Sequence, residues 1–212
     1  MTMIRFIGDV HGLWKEYFTI CQNSTKTVQV GDLGMGFGSR TAEMFCEYMD
    51  RIPGDHSFIR GNHDSPDECR RSSYWVPDGE INDGIMYIGG ASSIDRAYRT
   101  AGIDWWADEE LAYDELYQIA EVYAQAKPDI LVTHECPEFF ATEAMIPLVN
   151  GNTNFPSKTR IVLDEMYAAH KPKLHIFGHW HYNLNYVDKG TGTRFVCLNE
   201  LAVIDVDTEM LK

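Results

Sequence analysis

Arg60-Gly61-Asn62-His63-Asp64 follows Ser57-Phe58-Ile59, so a set of polar side chains emerges where a buried strand comes to its end. The position matters because ligands bind outside the carboxyl ends of strands in open α/β sheets. Asn62 offers an amide oxygen, His63 an imidazole able to carry a proton, and Asp64 a carboxylate suited to holding that ring. Alone, such a run is more often a polar turn than a site. The rest of the chain overturns that reading by repeating the arrangement. Ile4-Arg5-Phe6-Ile7 reads as a short strand and runs into Gly8-Asp9-Val10-His11-Gly12, while Thr27-Val28-Gln29-Val30 is followed at once by Gly31-Asp32. Asp9 and His11 stand two residues apart, which in an extended segment sets both side chains on one side, as two ligands of one ion require.

The pattern returns later. The apolar strand Ile130-Leu131-Val132 leads into Thr133-His134, and Leu174-His175-Ile176-Phe177 leads into Gly178-His179-Trp180-His181. Asp9, His11, Asp32, Asn62, His134, His179 and His181 therefore all occupy strand ends. A lone histidine there is usually a hydrogen-bonded structural residue, but seven nitrogen and oxygen donors suffice for two divalent ions if one carboxylate bridges them. Mixed imidazole and carboxylate ligation favours Mn, Fe, Zn or Ni over Ca or Mg, with Mn expected first. Two such ions, two carboxylates and a bound hydroxide leave the cleft about one net positive charge, which attracts a phosphate anion. His56, His170 and His175 lie outside the pattern and are expected to be structural.

Between these strands the apolar spacing predicts helices over 13–21, 39–51 and 108–126, the last closed by Lys127-Pro128, and another from a Ser157 cap to near His170. Ile85-Met86-Tyr87-Ile88, Phe195-Val196-Cys197-Leu198 and Ala202-Val203-Ile204-Asp205 complete the strands. Gly34-Met35-Gly36-Phe37-Gly38 matches no dinucleotide or P-loop spacing and reads as a flexible loop. Residues 138–156, with Phe139, Phe140 and Phe155, are expected to form a short helix and a loop over the site. The segment 89–106 carries Arg96, Arg99, Trp105 and Trp106. Its plain reading is tryptophans packed under a loop with arginines paired to surplus carboxylates; its functional reading is a substrate wall.

With 212 residues and 44% apolar content the chain is expected to form one domain over residues 1–212. Its formal charge of −14 argues against an extended nucleic-acid-binding surface, although metal ions can reverse the sign inside one cleft. No run reaches the length of a membrane span, and the N-terminus goes directly into a strand without a signal-peptide pattern, so a cytoplasmic location is expected. Five scattered cysteines without CxxC spacing indicate neither a disulfide framework nor a thiolate zinc site.

Asp9-Val10-His11-Gly12, Gly31-Asp32, Gly61-Asn62-His63-Asp64, Thr133-His134 and Gly178-His179-Trp180-His181, in that order, resemble the five signature blocks of the calcineurin-like metallophosphoesterases, and the Ser93-Ile94-Asp95-Arg96 and Trp105-Trp106 segment resembles one found in small bacterial and bacteriophage members. The resemblance implies a four-layered α/β/β/α sandwich of two mixed sheets flanked by helices, with a dinuclear centre at the strand ends. It assigns Asp9, His11, Asp32 and His181 to one metal, Asp32, Asn62, His134 and His179 to the other, and the general-acid role to His63, oriented by Asp64. The Ser/Thr protein phosphatases usually continue their second block with an Arg-Gly pair, whereas Gly31-Asp32 here continues as Leu33-Gly34-Met35-Gly36. The phosphate-binding arginine must then come from elsewhere, and Arg96 is the expected source. The expected activity is hydrolysis of a phosphomonoester or phosphodiester, of a small or nucleotide-type substrate, by a metal-bridging hydroxide. A protein phosphatase and a non-catalytic scaffold are the alternatives, and a scaffold has no reason to keep the seven donors and His63.

Overall fold

The computed structural model describes residues 3–149 and 156–211. Its elements run β1 (Met3–Ile7), α1 (Trp14–Gln22), β2 (Lys26–Gln29), α2 (Thr41–Met49), β3 (Asp55–Phe58), α3 (Pro66–Arg71), β4 (Ile81–Asn82), β5 (Ile85–Ile88), α4 (Tyr113–Ala126), β6 (Ile130–Thr133) and α5 (Glu138–Phe140). A π-helical stretch, Ala141–Met145, joins α5 to α6 (Ile146–Val149); then come α7 (Lys158–Ala169), β7 (Leu174–Phe177), β8 (Leu184–Val187), β9 (Arg194–Cys197) and β10 (Val203–Asp207).

The strands form two sheets, ordered β10-β1-β2-β3 and β4-β5-β6-β7-β9-β8. Strands β1, β2 and β3 are mutually parallel, as are β5, β6, β7 and β9, while β10, β4 and β8 join antiparallel at the edges, so both sheets are mixed. Successive side chains of a strand face opposite ways, and the burial follows that period of two. Ile130 and Val132 of β6, with Ile85 and Tyr87 of β5, meet Ile4, Phe6 and Val28 of the smaller sheet in a core between the sheets. Leu131, Met86 and Ile88 point the other way, onto Leu116 and Tyr123 of α4 and Val162, Leu163 and Met166 of α7. Ile7 and Phe58 face outward from the smaller sheet onto Tyr17, Cys21, Phe45 and Met49 of α1 and α2. Three apolar interfaces thus separate four layers, and the implied sandwich is present.

The helices expected from periodicity occur within a few residues of their ranges, and Ser157 caps α7 by accepting from the Arg160 N–H at 3.2 Å. Strand β8 escaped notice because it is an edge strand with a mostly exposed pattern, and six-residue α3 is too short to show a helical period. The glycine-rich run is not a free loop. The N–H groups of Leu33, Gly34 and Met35 are held by Asp64, and the Ser65 N–H donates to the Met35 carbonyl at 2.6 Å. Of the expected loop over the site, residues 150–155, Phe155 included, lie outside the described residues. No described helix is long and apolar enough to cross a membrane.

Candidate metal centre and active site

The parallel strands of both sheets end on one edge of the sandwich, and the turns that follow bring the predicted donors into a common cleft. Asp9 and His11 follow β1, Asp32 follows β2, Asn62 and His63 follow β3, His134 follows β6, and His179 and His181 follow β7. Glycines make the approach close enough. A Cβ on Gly61 would collide with the Asp32 carboxylate, and one on Gly178 with Asp9 Oδ1. The glycine of one block therefore makes room for the donor of another.

Two groups of donors result. His181 Nε2 lies 3.1 Å from His11 Nε2 and 3.3 Å from Asp9 Oδ2. Asn62 Oδ1 lies 3.0 Å from His134 Nε2 and 2.9 Å from His179 Nδ1. Asp32 Oδ2 stands between them, 3.9 Å from His11 Nε2 and 3.4 Å from His134 Nε2. Two ligands each about 2.1 Å from one ion, at a right angle, are about 3.0 Å apart, so these are separations that donors sharing a cation would have. The most telling atom is Asp32 Oδ2. Its companion Oδ1 accepts from the His63 backbone N–H at 2.8 Å, but Oδ2 is buried and, among the described residues, meets no hydrogen bond of good geometry, its nearest nitrogens being Nε2 of His134 at 3.4 Å and of His11 and His63 at 3.9 Å. A buried acceptor left bare costs about 1–3 kcal/mol, more when charged, and a cation on either side would remove that cost. The residues fit a metal centre.

Neighbouring groups set which nitrogen of each ring faces the cleft. His134 Nδ1 sits 2.8 Å from the Val30 carbonyl, to which it donates as Nδ1–H, leaving the Nε2 lone pair for an ion. His179 turns Nε2 toward buried Glu135, 3.6 Å away, and Nδ1 toward the cleft. Glu135 is held by Arg160 Nε at 2.7 Å and Trp180 Nε1 at 2.7 Å. His11, Asp32, His179 and His181 all have left-handed backbones, with φ of 47°, 58°, 65° and 48°. Non-glycine residues seldom adopt this conformation, and its clustering on four donors marks strain held for a purpose.

The charges argue the same way. Burial pushes the Asp9 carboxyl up to about 8. For His134, burial works against the charged ring, but the Asp32 carboxylate beside it carries the imidazole up to about 10. Burial also opposes a charged Asp32, yet His134, His63 and His11 around it hold its carboxyl well below the usual range. Burial lowers His11 and His179 to about 4. Burial of Asp9 and the Asp32 charge beside His134 thus favour the protonated forms of both, and a cation must displace those protons. Binding of Mn(II) at pH 7 is expected to release about one to two protons, with affinity rising as the pH approaches 8 and falling in acid. Calorimetry in buffers of different ionisation enthalpy counts those protons, and a count of zero contradicts this account.

The remaining predicted residues divide. His63 lies at the cleft with its ring Nε2 3.9 Å from Asp32 Oδ2, the same separation as His11 Nε2, so His11, Asp32 and His63 also form a group able to hold an ion. Asp64 does not hold the His63 ring. Its buried carboxylate accepts from the backbone N–H groups of Leu33, Gly34, Met35 and Gly61, at 2.7–3.1 Å, and so ties the Asp32 turn to the turn after β3. The expectation for Arg96 is also corrected. Its guanidinium stacks on the Trp105 ring at 4.0 Å, and Arg99 lines the cleft instead. Arg99 Nη1 and Nη2 lie 2.7 and 2.9 Å from His63 Nδ1 and Nε2, and Asp95 pairs with the same guanidinium at 2.5 and 2.6 Å. Arg96 and Arg99 share one turn-rich segment, and no sequence signal separates them; the short 3-10 turn Arg96–Tyr98 decides which faces the site. Glu135 and Arg160 carried no motif signal either. His56, His170 and His175 are structural, bonded to Thr27, Pro128 and the Thr133–Tyr167 pair respectively. Beside the donors a cavity of about 540 Å³ opens, walled by Ile94, Val149, Trp180, Arg99 and Arg160.

The profile of the calcineurin-like phosphoesterases matches residues 2–183. No curated protein matches the chain in sequence. Among solved structures, a "putative 5'-nucleotidase" of Staphylococcus aureus, determined in complex with alpha-ketoglutarate, aligns with a TM-score of 0.57 and 13% identity over 97% of this chain and 50% of its own. The present chain thus spans half the length of that protein, and at this identity the likeness speaks for the fold alone. A Thermotoga maritima protein solved in solution aligns over 98% of this chain and 92% of its own at 13% identity, with a TM-score of only 0.41.

Proposed function

Because the chain belongs to the calcineurin-like phosphoesterase family, whose members are metal-dependent, we propose that residues 1–212 act as one domain hydrolysing a phosphate ester of a small or nucleotide-type molecule at two divalent ions, Mn foremost. The observation that carries this reading is the bare, buried Asp32 Oδ2 between the two donor groups. Asp9, His11, Asp32 and His181 would hold one ion, and Asp32, Asn62, His134 and His179 the other. When bound, such ions neutralise phosphoryl charge and supply an activated water.

The chain's own residues provide the rest. His63, left over once the seven donors are assigned, stands at the cleft mouth and donates a proton to the departing oxygen. Arg99 takes the place expected for Arg96, as a planar fork suited to phosphoryl oxygens. A phosphate that draws Arg99 toward itself also takes the guanidinium off the His63 ring and frees that ring for the leaving group. The cavity of about 540 Å³, with Ile94, Val149 and Trp180 on its walls, has the size of a small-molecule site and favours a compact substrate over a phosphoprotein.

The test is hydrolysis by chelator-stripped protein before and after Mn(II) is restored, against nucleoside monophosphates, cyclic nucleotides, bis-p-nitrophenyl phosphate and phosphopeptides. Metal-dependent turnover of the small esters is expected; a marked preference for phosphopeptides overturns the small-substrate reading. Arg99→Ala is expected to lower kcat/KM about 30-fold, the equivalent of about 2 kcal/mol for a charged hydrogen bond. Arg96→Ala should leave kcat/KM within about twofold, since that side chain rests on Trp105. Steady-state kinetics on one nucleotide ester decides between the two arginines, and the opposite ranking removes Arg99 from the site.

A further inference from the structure

Asn62 is the one amide among the proposed metal donors, and its usefulness depends on which way it is turned, because Oδ1 can hold a cation and Nδ2 cannot. On the side away from the cleft, Nδ2 donates to Ser93 Oγ at 3.0 Å, and Ser93 Oγ lies 2.5 Å from Glu109 Oε2. The Ser93 backbone N–H meets the other oxygen, Glu109 Oε1, at 3.2 Å. All three residues are buried, at 1%, 4% and 6% exposure. We propose that Ser93 and Glu109 form a relay that fixes the Asn62 amide with its oxygen toward His134 and His179, making both positioning residues for the ion held there. The proposal rests on the dinuclear reading given above.

The direction of the relay follows from what each group is able to donate. A carboxylate only accepts, so the single hydroxyl hydrogen of Ser93 is committed to Glu109. Ser93 then presents only lone pairs to Asn62, and only the NH₂ end of the amide can meet them. Remove Glu109, and the hydroxyl is free to turn and donate to Oδ1. The amide flips at little cost, and its NH₂ group faces His134 and His179, where it repels a cation. Glu109 is itself anchored: Arg60 Nη1 donates to the carbonyls of Asp108 and Glu109 at 2.8 and 3.0 Å, while Arg60 Nε pairs with Asp78 at 2.8 Å. Two residues of the long connection between β5 and α4, neither part of the donor pattern, thereby govern the chemistry of a donor that follows β3.

The experiment measures Mn(II) stoichiometry and affinity by calorimetry for the wild-type protein, Ser93→Ala, Glu109→Gln and the double variant. The wild type is expected to bind two ions. Ser93→Ala should keep one of them at wild-type affinity and weaken the other by about 10- to 100-fold, as loss of an orienting partner does. Ser93→Thr, which keeps the hydroxyl, should bind like the wild type. Glutamine has one acceptor where Ser93 brings two donors, so Glu109→Gln should weaken the same ion. The double variant should be no worse than Ser93→Ala, because Glu109 acts through Ser93. Should Ser93→Ala fail to fold, Ser93→Thr against Ser93→Val, equal in shape and differing in the hydroxyl, decides the same question. Two ions bound at wild-type affinity by Ser93→Ala, or effects that simply add, overturn the relay alone. Fewer than two ions on the wild type overturns the dinuclear reading instead.

Discussion

Asp32→Asn is expected to lower the bound metal from two ions to one or none and to cut phosphoesterase activity by about 10³-fold or more. The substitution keeps the size of the side chain, and its amide oxygen can still accept from the His63 N–H as Asp32 Oδ1 does at 2.8 Å. What changes is the other atom. Oδ2, bare and buried between His11 and His134, becomes an NH₂ group that cannot ligate and repels a cation on either side. No other proposed donor lies between the two groups, so this one change should weaken both ions, where loss of His181 or His179 should weaken mainly one. Elemental analysis of the purified protein, with kcat/KM on a nucleotide ester, checks the prediction. Full metal content with full activity would remove Asp32 from the centre.

His63→Ala should leave the metal content near that of the wild type and lower activity by an amount set by the leaving group. The ring stands at the cleft beside Arg99 and is assigned as a proton donor; because it also groups with His11 and Asp32, the metal content tells removal of an acid from removal of a ligand. An alkoxide or ribose oxygen leaves poorly without a proton, whereas p-nitrophenolate departs readily. General acid catalysis contributes about 10²–10⁴-fold; that loss is expected on an alkyl or nucleotide ester and a much smaller one on the p-nitrophenyl ester. The measurement is kcat/KM on both esters in both proteins, alongside metal analysis. Equal losses on the two esters, or a fall in bound metal, would mean that His63 positions the substrate or holds an ion.

The sequence by itself determined the buried strands, the places where they end and the candidate donors that stand there. Those features are local: a period of two buries Ile130 and Val132 on one face and Leu131 on the other, and the glycines directly before Asp9, Asp32, Asn62 and His179 are visible in the chain itself. The strand-end positions of seven candidate donors were therefore legible before any contact was known, and so was the family. Only the tertiary structure decided what the side chains around those donors do. Asp64 is sequence-adjacent to His63, yet its carboxylate turns away to the backbone N–H groups of Leu33, Gly34, Met35 and Gly61. Arg96 and Arg99 are three residues apart in one loop, and which one faces the cleft depends on Trp105 claiming the first and Asp95 holding the second. Ser93 reaches Asn62 across 31 residues of chain, Glu109 reaches Ser93 across 16, and Glu135 faces His179 from the turn after β6, and contacts of that kind leave no period or spacing to read. Hydrogen bonds that orient a ligand depend on distance and direction in space, which a pattern of residue types along a strand does not encode.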